Sequence, residues 1–354
     1  MSKRVLVMAG GTGGHVFPAM AIARELMDRG HTVHWMGTRG RIEERVVPAA
    51  GIDISYVDVK GIRRNGIMSL IKAPFMVMNA IGQAKKIINS FKPDVVIGFG
   101  GYASAPGGMA ARLSGIPLIL HEQNAAAGMT NRVLARFADR ILLGVGEAFT
   151  GPKVESVGNP VRSEIMALAG KERSFAHEDG RTRILIVGGS LGATALNEQV
   201  PQALRLFGRD DISVFHQCGK DQAVKTAANY EGAQFEYQTS DFIEDMASAY
   251  SKADLVICRA GASTVSEVSA VGLPAVFVPL PTAVDDHQTK NAQTLVKAGA
   301  ARLMPQSELN AQALHDIIAQ LRDPATLAQM SKAASGAARL DATSRVCQII
   351  EELA

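Results

Sequence analysis

His15 ends the run Met8-Ala9-Gly10-Gly11-Thr12-Gly13-Gly14-His15, which continues Val16-Phe17-Pro18. An imidazole titrates near working pH and can take a proton from a hydroxyl; the bland reading is a histidine that shapes a turn. The glycines let another group approach without a Cβ in the way. The helix read after them aims unsatisfied N–H groups and its positive dipole end at an anion or polar ligand. A second cluster, Arg259-Ala260-Gly261-Ala262-Ser263-Thr264-Val265-Ser266-Glu267, joins an apolar strand to a helix. Ser263 or Thr264 is expected to cap that helix. Its free N–H groups suit a diphosphate. Glu267 is read either as a complement to the helix dipole or as a carboxylate accepting two ribose hydroxyls, and position alone does not choose. Two further clusters are His121-Glu122-Gln123-Asn124, at the end of an apolar run, and Asp285-Asp286-His287-Gln288-Thr289-Lys290-Asn291. The latter invites a metal, but adjacent residues do not converge on one face of a helix. No Asp-x-Asp pair occurs to hold Mg²⁺ against a diphosphate. No metal and no cofactor are expected.

The elements that must position these residues alternate strand and helix. Arg4-Val5-Leu6-Val7 reads as a buried parallel strand, and Ala19, Ile22, Ala23, Leu26 and Met27 recur at helical spacing behind the glycine turn. The turn is no dinucleotide fingerprint. Val16 stands where the third glycine would be, and the second strand, Thr32-Val33-His34-Trp35-Met36, ends without a carboxylate. A short helix over 42–47 and a strand over 51–57 follow, then a basic, glycine-bounded loop over 60–66. Ile67, Leu70, Ile71, Phe75, Met76, Met78 and Ile81 make an unusually apolar helical segment beside Arg63, Arg64, Lys72, Lys85 and Lys86. The strand Asp94-Val95-Val96-Ile97-Gly98 leads to a second glycine turn with Gly100, Gly101 and Tyr102. A helix ends at Gly115, and the strand Leu118-Ile119-Leu120 empties into His121, at the strand end where open α/β sheets bind ligands.

Gly158-Asn159-Pro160-Val161-Arg162 reads as a boundary, and then the pattern restarts. Ile184-Leu185-Ile186-Val187 is a strand, Gly188-Gly189-Ser190-Leu191-Gly192 a glycine turn, and 193–206 a helix. The stretch from Asp94 to Pro117 is echoed from Asp254 to Pro274. Two doubly wound α/β domains facing a cleft are therefore expected, over 1–161 and 162–337. A C-terminal helix over about 338–354 is expected to fold back onto the first.

With 354 residues, 47% apolar and 20% charged, the chain reads as a soluble two-domain protein. A net charge of +3 is too small to argue for nucleic acid. Cys218, Cys258 and Cys347 lie far apart, so neither a disulfide framework nor a zinc site follows, and a reducing cytoplasm fits. No signal peptide and no transmembrane stretch are read.

Taken together, the turn from Gly10 to Pro18, Gly100-Gly101-Tyr102, His121-Glu122-Gln123-Asn124, Gly158-Asn159-Pro160-Val161-Arg162, Gly188-Gly189-Ser190 and Ser266-Glu267 resemble the MurG family, in order and spacing, from first strand to last helix. That family has the GT-B architecture. It transfers N-acetylglucosamine from UDP-N-acetylglucosamine to the C4 hydroxyl of the muramoyl sugar of undecaprenyl-diphospho-N-acetylmuramoyl-pentapeptide (lipid I), giving lipid II, with inversion and without metal. The resemblance implies that Thr12, Gly13, Gly14, Asn124, Arg162, Ser190, Ile243, Ala262, Ser263, Thr264, Val265, Ser266, Glu267 and Gln288 contact the donor. Glu267 would hold the ribose, the Ile243 backbone the uracil, and Gln288 the sugar hydroxyls. His15 would be the base and Tyr102 would sit on the acceptor side. One departure is His287, where some members carry glutamine. Implied partners are UDP-N-acetylglucosamine, lipid I and an anionic membrane surface on the cytoplasmic face of the inner membrane, with room for other cell-wall synthesis proteins.

A UDP-N-acetylglucosamine 2-epimerase-like enzyme or a non-catalytic nucleotide-sugar scaffold are the alternatives. The apolar segment argues against the first, because a soluble sugar needs no such surface; Ile67, Leu70, Ile71, Phe75 and Met76 are read as a membrane patch rimmed by basic residues. The intact His15 argues against the second.

Overall fold

A computed structural model describes residues 1–59, 66–208 and 211–354, the side chains of 66–74 excepted. Most of the basic loop (60–65) thus lies outside the described residues, as do the side chains of Ile67, Leu70 and Ile71. The chain forms two compact units: residues Met1–Arg162 with Asp341–Ala354, and Ser163–Leu340.

The first unit winds β1 (Arg4–Met8), α1 (Gly13–Asp28), β2 (Thr32–Gly37), α2 (Ile42–Ala49), β3 (Asp53–Tyr56), α3 (Gly66–Phe91), β4 (Val95–Gly98), α4 (Ser104–Leu113), β5 (Leu118–Glu122), α5 (Met129–Leu134), β6 (Arg140–Leu143) and β7 (Val154–Ser156). Its sheet has the order β3-β2-β1-β4-β5-β6-β7, with every pairing parallel. Alternation along β1 divides its side chains between two cores. Val5 and Val7 join Ile22, Leu26 and Trp35 on one face, while Leu6 and Met8 join Val96, Leu118 and Leu120 on the other.

The second unit runs α6 (Ser163–Met166), β8 (Thr182–Val187), α7 (Thr194–Arg205), β9 (Ile212–Gln217), α8 (Ala223–Ala228), β10 (Glu236–Ser240), α9 (Met246–Lys252), β11 (Leu255–Cys258), α10 (Ala262–Ala270), β12 (Ala275–Phe277), α11 (His287–Lys297), β13 (Ala301–Leu303), α12 (Ala311–Leu321) and α13 (Pro324–Ala337). Its sheet order, β10-β9-β8-β11-β12-β13, repeats the first. The order reverses between β1 and β4 and between β8 and β11. Those are the switch points at which open parallel sheets leave a crevice.

The sequence echo has a physical cause. Asp94 accepts the Arg4 N–H at 2.7 Å and Asp254 accepts the Arg183 N–H at 2.8 Å, so one aspartate in each unit clips the first strand to the fourth. The final helix, α14 (Ala342–Leu353), sends Val346, Cys347, Ile349 and Ile350 into the first unit's core. Glu351 pairs there with Arg29 at 3.3 Å and His31 at 3.0 Å.

Candidate active site

In the first unit the switch point is built from two glycine turns that touch. The Phe99 N–H and the Ser104 hydroxyl both donate to the Met8 carbonyl, at 2.8 and 3.0 Å. A Cβ on Gly101 would lie 2.2 Å from the Gly10 carbonyl oxygen, so only glycine allows this approach. Thr12 is the N-cap of α1, its carbonyl accepting from His15 and Val16, and its hydroxyl lies 3.4 Å from His15 Nδ1. Cδ2 and Nε2 of that ring come within 3.3 Å of where a Cβ on Gly100 would sit. His15 is thus half-buried where both turns meet. Tyr102, 44% exposed, lies on the second turn with the Arg41 guanidinium over its ring.

A carboxylate that the sequence reading missed holds the first turn. Glu43, fully buried on α2, accepts the Gly11 N–H at 3.1 Å through one oxygen. The other accepts the Thr38 N–H at 3.1 Å and hydroxyl at 2.8 Å. Gly10 and Gly37 make room for it, since a Cβ on either would run into its side chain. Trp35 adds a clamp by donating to the Ala9 carbonyl at 2.9 Å.

Next along the strand ends, Glu122 is buried and accepts from Asn124 N, Asn124 Nδ2, Gly128 N and Asn131 Nδ2 at 2.9–3.3 Å. It orients Asn124, the expected donor contact. His121 donates to the Gly158 carbonyl at 3.0 Å, and complete burial pushes its pKa down to about 4. Asn159 donates to the Gln123 carbonyl at 3.1 Å. Two motifs distant in sequence are thereby joined, the second ending at Arg162, where the first segment of the unit ends.

In the second unit α10 begins at Ala262 and its N-cap is Gly261, with φ −64° and ψ 145° and no side-chain cap. This corrects the expectation that Ser263 or Thr264 caps the helix: both lie inside its first turn. The Val265 N–H makes the first intrahelical bond, to Gly261, so the amides of Ala262, Ser263 and Thr264 lie outside the helix's own ladder. The Ser263 hydroxyl is buried with no protein partner among the described residues. Glu267, 8% exposed, stands beyond the first turn, where a dipole complement gains little. It accepts from the Tyr250 hydroxyl at 3.2 Å, a partner invisible at a sequence distance of seventeen residues. Gln288 Oε1 accepts the N–H groups of Ala260 and Leu280 at 3.3 and 2.9 Å, which fixes its amide and orients its Nε2 end. His287 is occupied by the Val284 carbonyl at 2.8 Å, behind Asp285 and Asp286, both at positive φ. Arg259 turns to the carbonyls of Val278 and Pro279 and to Gln306, and burial lowers its pKa.

The remaining expected donor residues are Ser190, exposed on the turn after β8, and Ile243, buried after β10. A cavity of about 980 Å³ in this unit has Ile243 on its wall but none of the other expected donor residues. The structure thus gathers Thr12, Gly13, Gly14, His15, Tyr102, Asn124 and Arg162 in the first unit. Ser190, Ile243, Ala262 to Glu267 and Gln288 belong to the second. Among the described residues no group of His, Cys, Asp and Glu could hold a metal ion, and no helix is long and apolar enough to cross a membrane.

Known proteins share this pattern. Residues 5–143 match the glycosyltransferase family 28 N-terminal domain and residues 183–346 its C-terminal domain. A protein of Shewanella sp. (strain ANA-3), named UDP-N-acetylglucosamine--N-acetylmuramyl-(pentapeptide) pyrophosphoryl-undecaprenol N-acetylglucosamine transferase, is 50% identical, with 99% of this chain and 98% of the relative covered. The crystal structure of Acinetobacter baumannii MurG superposes with a TM-score of 0.86 at 42% identity, covering 99% of both chains. A putative UDP-N-acetylglucosamine 2-epimerase from Listeria monocytogenes shares the fold alone, at 16% identity, TM-score 0.70 and coverage of 99% of this chain and 96% of that one.

Proposed function

The chain belongs to the MurG family within glycosyltransferase family 28, and from that premise we propose how it transfers N-acetylglucosamine from UDP-N-acetylglucosamine to lipid I. The reaction is inverting: the acceptor's C4 hydroxyl attacks the anomeric carbon as UDP departs. His15 is the base. The observation that carries this assignment is the placement of its ring, with Nδ1 turned to Thr12 and Nε2 over Gly100 at the carboxyl end of the sheet. Tyr102 belongs to the acceptor side.

Donor binding falls to the second unit. Ser190 and the α10 amides take the diphosphate, whose charge grows as it leaves, so the fixed dipoles do the stabilising without a metal. Glu267 accepts the ribose hydroxyls in the orientation set by Tyr250, the Ile243 backbone holds uracil, and Gln288 Nε2 reaches the sugar. From the first unit, Thr12, Gly13, Gly14, Asn124 and Arg162 complete the donor contacts.

Lipid I stays in the bilayer, so the first unit must reach an anionic membrane surface, which places the enzyme at the cytoplasmic face of the inner membrane. α3 supports this. Ala80, Ala84 and Ile88 line its buried side, while Phe75, Val77 and Met78 are 76%, 44% and 70% exposed, with Lys85 and Lys86 exposed about two to three turns on.

The test is transfer to a short-chain lipid I analogue. UDP should appear one-for-one with glycosylated acceptor, and donor alone should give neither UDP nor epimerised sugar. His15→Ala should lower turnover by about 10²–10⁴ while UDP affinity holds. Wild-type turnover in that variant would remove His15 from the mechanism, and epimerisation without acceptor would overturn the assignment.

A further inference from the structure

Gln217 ends β9 and is 3% exposed, and all of its amide's hydrogen-bonding groups face backbone. Its Oε1 accepts the Gly189 N–H at 3.0 Å, and its Nε2 donates to the Gly189 carbonyl at 3.1 Å and to the Asp241 carbonyl at 2.8 Å. Gly189 precedes Ser190, and Asp241 lies two residues before Ile243. From that juxtaposition we infer that Gln217 is a positioning residue which locks the turn carrying Ser190 to the loop carrying Ile243, so that diphosphate and uracil are recognised at a fixed separation. The inference rests on the donor-binding reading above.

The surrounding geometry shows what this side chain adds to the backbone contacts of the turn, in which the Gly188 N–H donates to the Gln217 carbonyl at 3.1 Å and the Lys220 N–H to the Ser190 carbonyl at 3.4 Å. Gly189 has φ +84° and is exposed, with nothing within 4 Å of where its Cβ would be, so side-chain packing does not hold it there. Asp241 is anchored on its far side, its carboxylate accepting the N–H groups of Gln222 and Ala223 at 3.0 and 2.7 Å, at the start of α8. The glutamine therefore bridges the turn carrying Ser190, whose backbone also packs against Cys218 and Gly219, to a fixed loop. It needs both an acceptor and a two-hydrogen donor. A glutamate would set a carboxylate oxygen against two carbonyl oxygens, and leucine would leave Gly189 N–H and two carbonyls without the amide.

The test measures equilibrium binding of UDP and CDP to the full-length chain by calorimetry, for wild type, Gln217→Glu and Gln217→Leu, beside thermal midpoints. We expect UDP affinity to fall at least tenfold in both variants. The UDP-over-CDP preference should shrink, because the base loop is no longer held in register. The KM for UDP-N-acetylglucosamine should rise more than kcat falls. Gln217→Glu keeps the volume, so a folded variant with wild-type UDP affinity and wild-type base preference overturns the inference. If Gln217→Leu fails to fold, Gln217→Glu alone decides. Failure of the wild-type chain to bind UDP would instead sink the donor-binding reading itself, a result distinguishable from loss confined to the variants.

Discussion

The ring of His15 lies over Gly100: Cδ2 and Nε2 come within 3.3 Å of the position a Cβ on residue 100 would take, and Gly100 has φ +92°. One glycine therefore both makes the second turn and leaves the space in which the imidazole of His15, the proposed base, sits. Gly100→Ala should lower turnover tenfold or more while UDP affinity is unchanged. The left-handed backbone adds a stability cost of about 1–2 kcal/mol. Steady-state kinetics with the lipid I analogue, beside UDP calorimetry, check this; unchanged turnover would mean the ring's place does not matter.

Glu43 should prove necessary although it touches no expected substrate atom. Glu43→Gln preserves shape but turns amide hydrogens toward donors that now meet a carboxylate, at a cost of about 1–3 kcal/mol. We expect kcat to fall with the donor KM little changed, since the turn it holds carries His15. A rise in donor KM alone would assign the turn to donor binding instead.

Removing the carboxylate at 267 should weaken donor binding with the fold intact. The loss for Glu267→Ala is roughly 1.5–3 kcal/mol, about ten- to a hundred-fold in affinity. Tyr250→Phe should lose less, because its hydroxyl orients Glu267 without being the ribose acceptor. A 2′-deoxyribose diphospho-sugar should be less affected by either change. Equal UDP binding by wild type and Glu267→Ala would exclude a ribose contact.

Vesicle flotation tests the outer side of α3. Replacing Phe75 and Met78 by serine should reduce binding to anionic vesicles and leave the thermal midpoint in place, as expected for side chains 76% and 70% exposed. Wild-type binding should weaken with salt. A variant that binds as well as wild type would move the membrane face elsewhere.

Acid should destabilise both units through buried neutral histidines. Burial lowers His121 from the ordinary 6.5 to about 4 and His216 to about 3. Below about pH 6.5 the unfolded chain takes up protons that the folded chain refuses, so stability present above that pH is lost progressively toward pH 4 and 3. Urea midpoints at pH 7, 5.5 and 4.5 should fall in that order. His121→Asn, weaker at pH 7, should show a shallower slope; an equal slope would absolve His121.

The strands and helices from Arg4 to Leu120, the restart over 184–206, the glycine turns and the echo between Asp94 and Asp254 were legible in the sequence because each depends on local pattern: β-branched runs, helical spacing and glycine where the backbone must turn. The α10 cap was misread for a local reason too. Serine and threonine are favoured caps, but the chain enters the helix two residues earlier, at Gly261. What pattern could not reach is pairing across the fold. Glu43 with Gly11, Tyr250 with Glu267 and Gln217 with Gly189 are separated by 32, 17 and 28 residues. Each looks in sequence like an ordinary polar residue near an element's end. Only the tertiary structure, in which the parallel sheet brings successive strand ends to one edge, buries Glu43 and Gln217 against glycine turns and sets Tyr250 of one helix against Glu267 of the next.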